Sequence, residues 1–299
     1  PSIEDIVIGT IWITFIFLAT YLGWGIVIPL LVSIVSLYAL FGNYTSGVFF
    51  HSGIDFPRFI GYSSTYFMGT LGKLTGFSAT LIVHFLLFGA LLNAIGGAEL
   101  IGKIATVVGS RFRSGAAQTA VISSAMIGMT TGSAPANVAI TGAFTIPMMK
   151  KIGYRPAFAG AVEAVASTGG QIMPPIMGAA AFVMAEFMAV SYLTVVSIAI
   201  VPAILYFVAV FCAVHFEAKR MGLRGLPKPD LPRLGEVVKT RGHQFLPLVI
   251  IVGVLLSGYS PPYAALCGLL SVLPVALLGR TTRQDISWRT VYDLSLIHI

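Results

Sequence analysis

Apolar positions along the chain cluster into runs of about 20 residues, separated by short glycine-rich or polar stretches. A helix of that length matches a hydrocarbon core of about 30 Å. The pattern predicts membrane helices at 6–22, 24–42, 78–100, 156–187 (interrupted), 192–216, 244–259 and 262–279, with Gly23-Trp24-Gly25 as the turn between the first two. Residues 44–77 mix His51, Asp55, Pro57, Arg58 and Lys73 with aromatics, the composition of a loop followed by an amphipathic helix lying in the interface. Residues 218–243 form a long polar loop carrying Lys219, Arg220, Arg224, Lys228, Arg233, Lys239 and Arg241.

The segment 115–149 does not read as a simple span. It is split by Thr130-Thr131-Gly132-Ser133-Ala134-Pro135-Ala136-Asn137, and its arms of about 15 and 12 residues reach only roughly 22 and 18 Å. Both outer ends are basic, with Arg111 and Arg113 before and Lys150, Lys151 and Arg155 after. A re-entrant hairpin keeps both clusters on one face. Sixteen of the 18 Lys and Arg then fall inside, with only Arg58 and Lys73 outside. Basic residues concentrate in cytoplasmic loops, so the hairpin is the expected topology. It places the loops near 101–114, 150–155, 218–243 and 280–293 in the cytoplasm.

The run 156–187 is too long for one straight span and breaks at Ser167-Thr168-Gly169-Gly170-Gln171-Ile172-Met173-Pro174-Pro175. Paired prolines remove backbone donors and paired glycines weaken the helix. Irregular backbone at membrane depth persists only inside protein or beside a water-filled cavity. There its freed carbonyls can coordinate a cation, while helix N-termini favour anionic groups. Either element alone is also what a close packing face or a proline kink produces; the two in succession, each with a polar cluster, point to a transport site. Glu163 lies roughly 10 Å into the core by helical rise, so a charge role is open to it, as is plain satisfaction by neighbouring helix groups. Glu186 reads as interfacial, His84 as a packing residue, and His215 as favouring a helix C-terminus.

Composition narrows the function classes. Only 10% of residues are charged and 57% are hydrophobic, with a mean hydropathy of +0.91, against about 25% charge in a soluble domain. The net charge of +7 is accounted for by cytoplasmic loops and calls for no nucleic acid. Cys212 and Cys267 both fall in apolar runs, which argues against a disulfide or a zinc site, and no other metal or cofactor is expected beyond a coupling ion. No nucleophile-elbow or zinc-protease pattern is present, so no catalytic residue is assigned and an intramembrane hydrolase lacks its constellation. The start at Pro1-Ser-Ile-Glu-Asp does not read as a cleavable signal, and the chain is expected to begin within a longer protein.

The stretch GSAPANVAITGAFTIPMMKKIGYRPAFAGAVEAVASTGGQIMPPIMGAAAFVMAEF, residues 132–187, strongly resembles the large permease of tripartite ATP-independent periplasmic (TRAP) transporters, most of all the form fused to the small subunit. The resemblance extends with less force over about 20–225. It implies an inner-membrane symporter that uses a sodium gradient to take up organic acids handed over by a periplasmic solute-binding protein. It also implies an elevator built of two inverted repeats, each with a hairpin and a broken helix. The family's hairpin-tip motif falls on Gly132, Ser133 and Asn137, and its broken-helix motif on Thr168, Gly169, Gly170, Gln171, Pro174 and Pro175; these regions border a sodium site and the substrate cavity. Pro135 stands where the family often has Val, which stiffens the tip.

The expected fold is an all-α polytopic membrane protein, a transporter with a re-entrant helical hairpin and a broken helix. Residues 1–43 form two small-subunit-like membrane helices and 44–77 a periplasmic loop with its interfacial helix. The first transport repeat covers 78–217, the cytoplasmic basic loop 218–243 and the start of a second repeat 244–293. The end 294–299 resembles a non-native tail. The alternatives are an elevator-type anion/sodium symporter working without a binding protein and, from other classes, a hydrolase or a non-transporting scaffold.

Overall fold

A computed structural model describes residues 2–66, 69–223, 225 and 233–279, with no strand among the described residues. Among them, six helices are long and apolar enough to cross a membrane: Ile3–Trp24, Val27–Tyr44, Thr75–Ala94, Tyr192–Arg220, Leu234–Leu256 and Pro261–Leu278. Their faces expose large apolar side chains such as Phe15, Leu30, Ile198 and Leu205. A helix that is apolar all round needs lipid or a large core as its solvent. The protein is therefore an all-α, polytopic membrane protein. Its chain divides into two compact units, residues 1–79 and 80–299.

In the first unit, α1 (Ile3–Trp24) opens on a reciprocal cap. The Ser2 hydroxyl accepts from the Asp5 N–H at 3.1 Å, and the Asp5 carboxylate accepts from the Ser2 N–H at 2.8 Å. Gly25, at φ +76°, turns the chain into α2 (Val27–Phe41). Two 3-10 turns, Gly42–Tyr44 and Gly47–Phe49, lead to α3 (Phe56–Ser63), which occupies the place expected for the interfacial helix. It packs on α1 at Gly9, where a Cβ would lie 2.6 Å from both Ile60 and Ser64. A short α4 (Lys73–Phe77) follows.

The second unit departs from the expected boundaries. The run read as one span over 78–100 ends at Ala94 in α5 (Val83–Ala94), because Gly96 adopts φ +91°. The stretch expected as a cytoplasmic loop over 101–114 is largely helix, α6 (Gly97–Gly109). It buries Leu100, Ile101 and Ala105 and pairs Glu99 with Lys103 at 2.6 Å on its exposed face. Next come α7 (Gly115–Thr131) and α8 (Ala134–Ile152), which form the hairpin. Then α9 (Pro156–Gly169), a 3-10 turn at Gly170–Ile172 and α10 (Ala179–Phe187) form the broken helix.

The next span, α11 (Tyr192–Arg220), runs past the expected end at 216. The expected polar loop 218–243 is helical over α12 (Leu234–Arg241). Glu236 in its first turn and Lys239 and Arg241 in its last complement the helix dipole. Val237 is buried and Arg241 reaches Glu99 at 2.9 Å. A 3-10 turn, Gly242–Phe245, precedes α13 (Leu246–Leu256), and α14 (Pro261–Leu278) packs on it and on α5. Arg224, Lys228, the expected loop 280–293 and the suspected tail 294–299 lie outside the described residues.

Two apolar cores organise this unit. One joins α5, α10, α13, α14 and the start of α11 around Phe88, Ile176, Phe182 and Ile251. The other joins α7, α8, α9 and the far end of α11 around Ala117, Val121, Met149 and Ala166. The hairpin tip and the helix break lie where these cores adjoin.

Candidate transport site

The hairpin turn is tighter than its sequence implies. Thr130 and Thr131 remain helical, their hydroxyls donating to the Ile127 carbonyl at 2.7 and 3.2 Å. Gly132 alone reverses the chain at φ +61°, its N–H donating to the Gly128 carbonyl at 2.9 Å. The Ser133 hydroxyl accepts from the Ala136 N–H at 3.5 Å and so begins α8. Pro135 falls in the first turn of α8, where helical N–H groups lack partners and a proline costs nothing.

The tip docks into the helix break. A Cβ on Gly132 would collide with the Met177 carbonyl, and one on Gly178 would lie 3.3 Å from the Gly132 carbonyl oxygen. Deeper in, Gly170 abuts Gly128, and the Asn137 side chain fills the space beside both. Asn137 is fully buried; its amide donates to the Ser124 carbonyl at 2.8 Å and its carbonyl oxygen has no partner among the described residues. Above this contact lies a cavity of about 430 Å³ lined by Thr131, Gly132 and Ser133 from the tip, Gln171, Ile172 and Gly178 from the break, and Ile82, Phe85 and Phe182. The Tyr192 hydroxyl, from α11, donates toward the Pro175 and Ile176 carbonyls and holds the far edge of the break.

The residues expected at this site thus separate. Gly132, Ser133 and Gln171 line the cavity, while Asn137 and Gly170 lie at the buried contact beneath it. Pro174 and Pro175 are half-buried within the break. Two residues point elsewhere. The Thr168 side chain is exposed and its hydroxyl donates to the Ala164 carbonyl at 2.8 Å, inside its own helix. Gly169 faces α11, where Tyr206 and Phe207 occupy the space a side chain would need.

Glu163 is fully buried at the centre of a cage of hydroxyls. Ser124 of α7 and Ser167 of α9 lie 3.1 and 3.2 Å from its Oε1, Thr141 of α8 contacts the same oxygen, and Thr145 of α8 contacts Oε2. Gly142 leaves room for the carboxyl, since a Cβ there would lie 3.2 Å from the Glu163 Cγ. Ser124, Thr141, Thr145 and Ser167 were not singled out from the sequence. Their signal was the i, i+4 spacing of Thr141 with Thr145 and of Glu163 with Ser167, which puts each pair on one helix face.

A membrane domain built on a helical hairpin docked into a broken helix defines a secondary-transporter architecture. The chain belongs to the family described as the DctM component of tripartite ATP-independent periplasmic transporters, whose family model matches residues 11–297. The family is one of transporters, not enzymes. Among curated relatives, the chain is similar to the C4-dicarboxylate TRAP transporter large permease protein DctM of Pseudomonas aeruginosa, with 28% identity over 62% of this chain and 43% of that protein. It is also similar to the sialic acid TRAP transporter large permease protein SiaM of Vibrio cholerae, with 25% identity over 65% of this chain and 45% of that protein. The chain spans rather less than half the length of these relatives.

Proposed function

We propose that this chain forms part of an inner-membrane permease that couples a sodium gradient to the import of organic acids delivered by a periplasmic solute-binding protein. The observation that carries the reading is the seating of the Gly132 tip against the Met177 carbonyl, with the cavity opening on both irregular backbones. C4-dicarboxylates and sialic acid, named for the relatives, are the first substrates to test. In this reading the hairpin is re-entrant from the cytoplasmic side. Sodium takes hard, neutral oxygens: the Ser133 hydroxyl, the Asn137 side-chain carbonyl, which has no partner among the described residues, and backbone carbonyls around Gly132 and Gly170. Thr168 contributes its backbone rather than its hydroxyl.

The test is uptake by the transport-competent permease in proteoliposomes, with its binding protein, as a function of sodium concentration. A proton gradient serves as the control driver. Ser133→Ala and Asn137→Ala should weaken apparent sodium affinity by about 5- to 30-fold, the effect of losing one of several ligands. Thr168→Val should leave it within about twofold. Uptake indifferent to sodium refutes the coupling, and uptake without the binding protein refutes the partner.

A further inference from the structure

Glu163 is a buried carboxyl in a membrane domain with no basic partner among the described residues. The helices around it supply no compensating charge. α7 carries no titratable side chain, and α8 has only Lys150 and Lys151, in its last turn. The 3-10 turn Gly170–Ile172 has none. α11 offers Tyr206, whose hydroxyl donates to the Val165 carbonyl at 2.8 Å, while its Tyr192 is engaged at the helix break and its Cys212, His215, Glu217, Lys219 and Arg220 lie toward its C-terminal end. A carboxylate stripped of water and counter-ion is costly by several kcal/mol. What faces it instead is a set of hydroxyls, which donate to a carboxylate and accept from a carboxylic acid.

Each threonine hydroxyl of the cage also has a second acceptor already in place. Thr141 Oγ1 lies 2.8 Å from the Asn137 carbonyl, and Thr145 Oγ1 lies 2.9 Å from the Thr141 carbonyl. Ser124 Oγ lies 3.2 Å from Thr141 Oγ1 as well as 3.1 Å from the carboxyl. A hydroxyl has one proton, so it serves one acceptor at a time. With Glu163 ionised, the hydroxyl protons turn to the carboxyl oxygens. With Glu163 protonated, the threonines turn back to their helix carbonyls and one hydroxyl oxygen accepts the new O–H. In both states the cage hydroxyls and the carboxyl find partners within the cage and its helix carbonyls.

We propose that Glu163 is a proton-binding site, set in the contact between the hairpin and the first half of the broken helix, and that the hydroxyls of Ser124, Thr141 and Thr145 switch with its protonation. The bound species is a proton rather than a metal ion because the oxygens are already in mutual hydrogen-bond contact. A hard cation such as Ca²⁺ needs ligands around it at about 2.3–2.6 Å and would force them apart. The site is separate from the cavity at the tip and does not rest on the sodium-coupled reading.

Infrared difference spectra of the lipid-reconstituted protein, titrated between about pH 4 and about pH 10, test this by the carbonyl stretch of a protonated carboxyl. A band that appears on acidification and is lost in Glu163→Gln is expected. Thr145→Val removes a hydrogen-bond partner of the carboxyl, so the band should shift in frequency; Thr145→Ser should restore it. The threonine pair reads the same band with the carboxyl intact, so the test stands even where the Gln variant does not fold. The proposal is overturned if no band depends on Glu163, if the band keeps its frequency in Thr145→Val, or if the band follows sodium at constant pH.

Discussion

Gly128 of α7 and Gly170 of the helix break meet backbone to backbone: a Cβ built on Gly170 would lie 2.6 Å from the Gly128 Cα. No side chain intervenes, so the hairpin and the broken helix approach as closely as two main chains can. This contact fixes the depth at which the Gly132 tip sits.

Alanine at either position should force the two elements apart. Overpacking of this kind costs about 1–3 kcal/mol, so Gly128→Ala and Gly170→Ala should each lower the thermal unfolding midpoint in detergent. Gly160, on α9, is the control, because a Cβ there would meet nothing within 4 Å. Gly160→Ala should be neutral or stabilising by up to about 1 kcal/mol. Equal behaviour of all three variants would contradict the contact.

The arms of the hairpin run antiparallel, so Ser110 and Lys151 should share one side of the membrane. The adjoining turns agree: a Cβ on Gly153 would lie 3.4 Å from Leu223, and one on Gly225 would lie 3.0 Å from the Phe112 carbonyl oxygen. In a background lacking Cys212 and Cys267, Ser110→Cys and Lys151→Cys should both react with an impermeant thiol reagent from the cytoplasmic face only. Labelling from opposite faces would replace the re-entrant hairpin with a crossing.

Tyr154, in the turn between α8 and α9, has a buried hydroxyl with no hydrogen-bond partner among the described residues. Burial first, and the nearby Glu217 carboxylate second, push its ionisation up from 10.0 to about 12. The neutral form is favoured in the folded state, so its contribution is complete below about pH 10 and is lost as pH rises towards about 12. Tyr154→Phe should therefore change stability by less than about 1 kcal/mol at neutral pH and remove part of the alkaline destabilisation. Spectroscopic titration of tyrosinate alongside unfolding at several alkaline pH values checks both statements.

Tyr192→Phe removes the hydroxyl that serves the Pro175 and Ile176 carbonyls. Loss of a buried hydrogen bond costs about 0.5–1.5 kcal/mol, with more where an acceptor is stranded. The variant should unfold at lower temperature and show faster amide exchange around residues 176–178. Unchanged exchange there would show that the phenol does not hold the break.

Much of the architecture was legible because lipid imposes simple rules. Long apolar runs marked α1, α2, α11, α13 and α14, a polar interruption with Gly132 and Pro135 marked the hairpin tip, and paired glycines and prolines marked the broken helix. The helix α6 escaped notice because its Glu99 and Lys103 interrupt the apolar run, and because a glycine at φ +91° leaves no mark beyond the letter G at position 96. The site was harder. A single residue step on a helix turns the side chain by about 100°, so Thr168, which the family motif covers, lies on the exposed face while its neighbour Ser167 turns toward the hairpin. The hydroxyl cage unites residues from 124 to 167, and no local pattern reveals that three helices converge there.

The broken helix has a divided allegiance. Its first half, α9, contributes Ala159, Val162 and Ala166 to the core shared with the hairpin. Beyond the break, Ile176, Met177, Phe182 and Ala185 belong to the core shared with α5 and α14. Nine residues, 170–178, are the direct covalent bridge between these two bodies of packed side chains. Most of that bridge lies outside regular helix, so main-chain torsions there can turn with few helical hydrogen bonds surrendered, while the unbroken α11, whose two ends lie in the two cores, ties the bodies together at a second place. The break is thus a flexure in the main chain, and a mutation that stiffens it would be felt first in how the two cores adjust to one another.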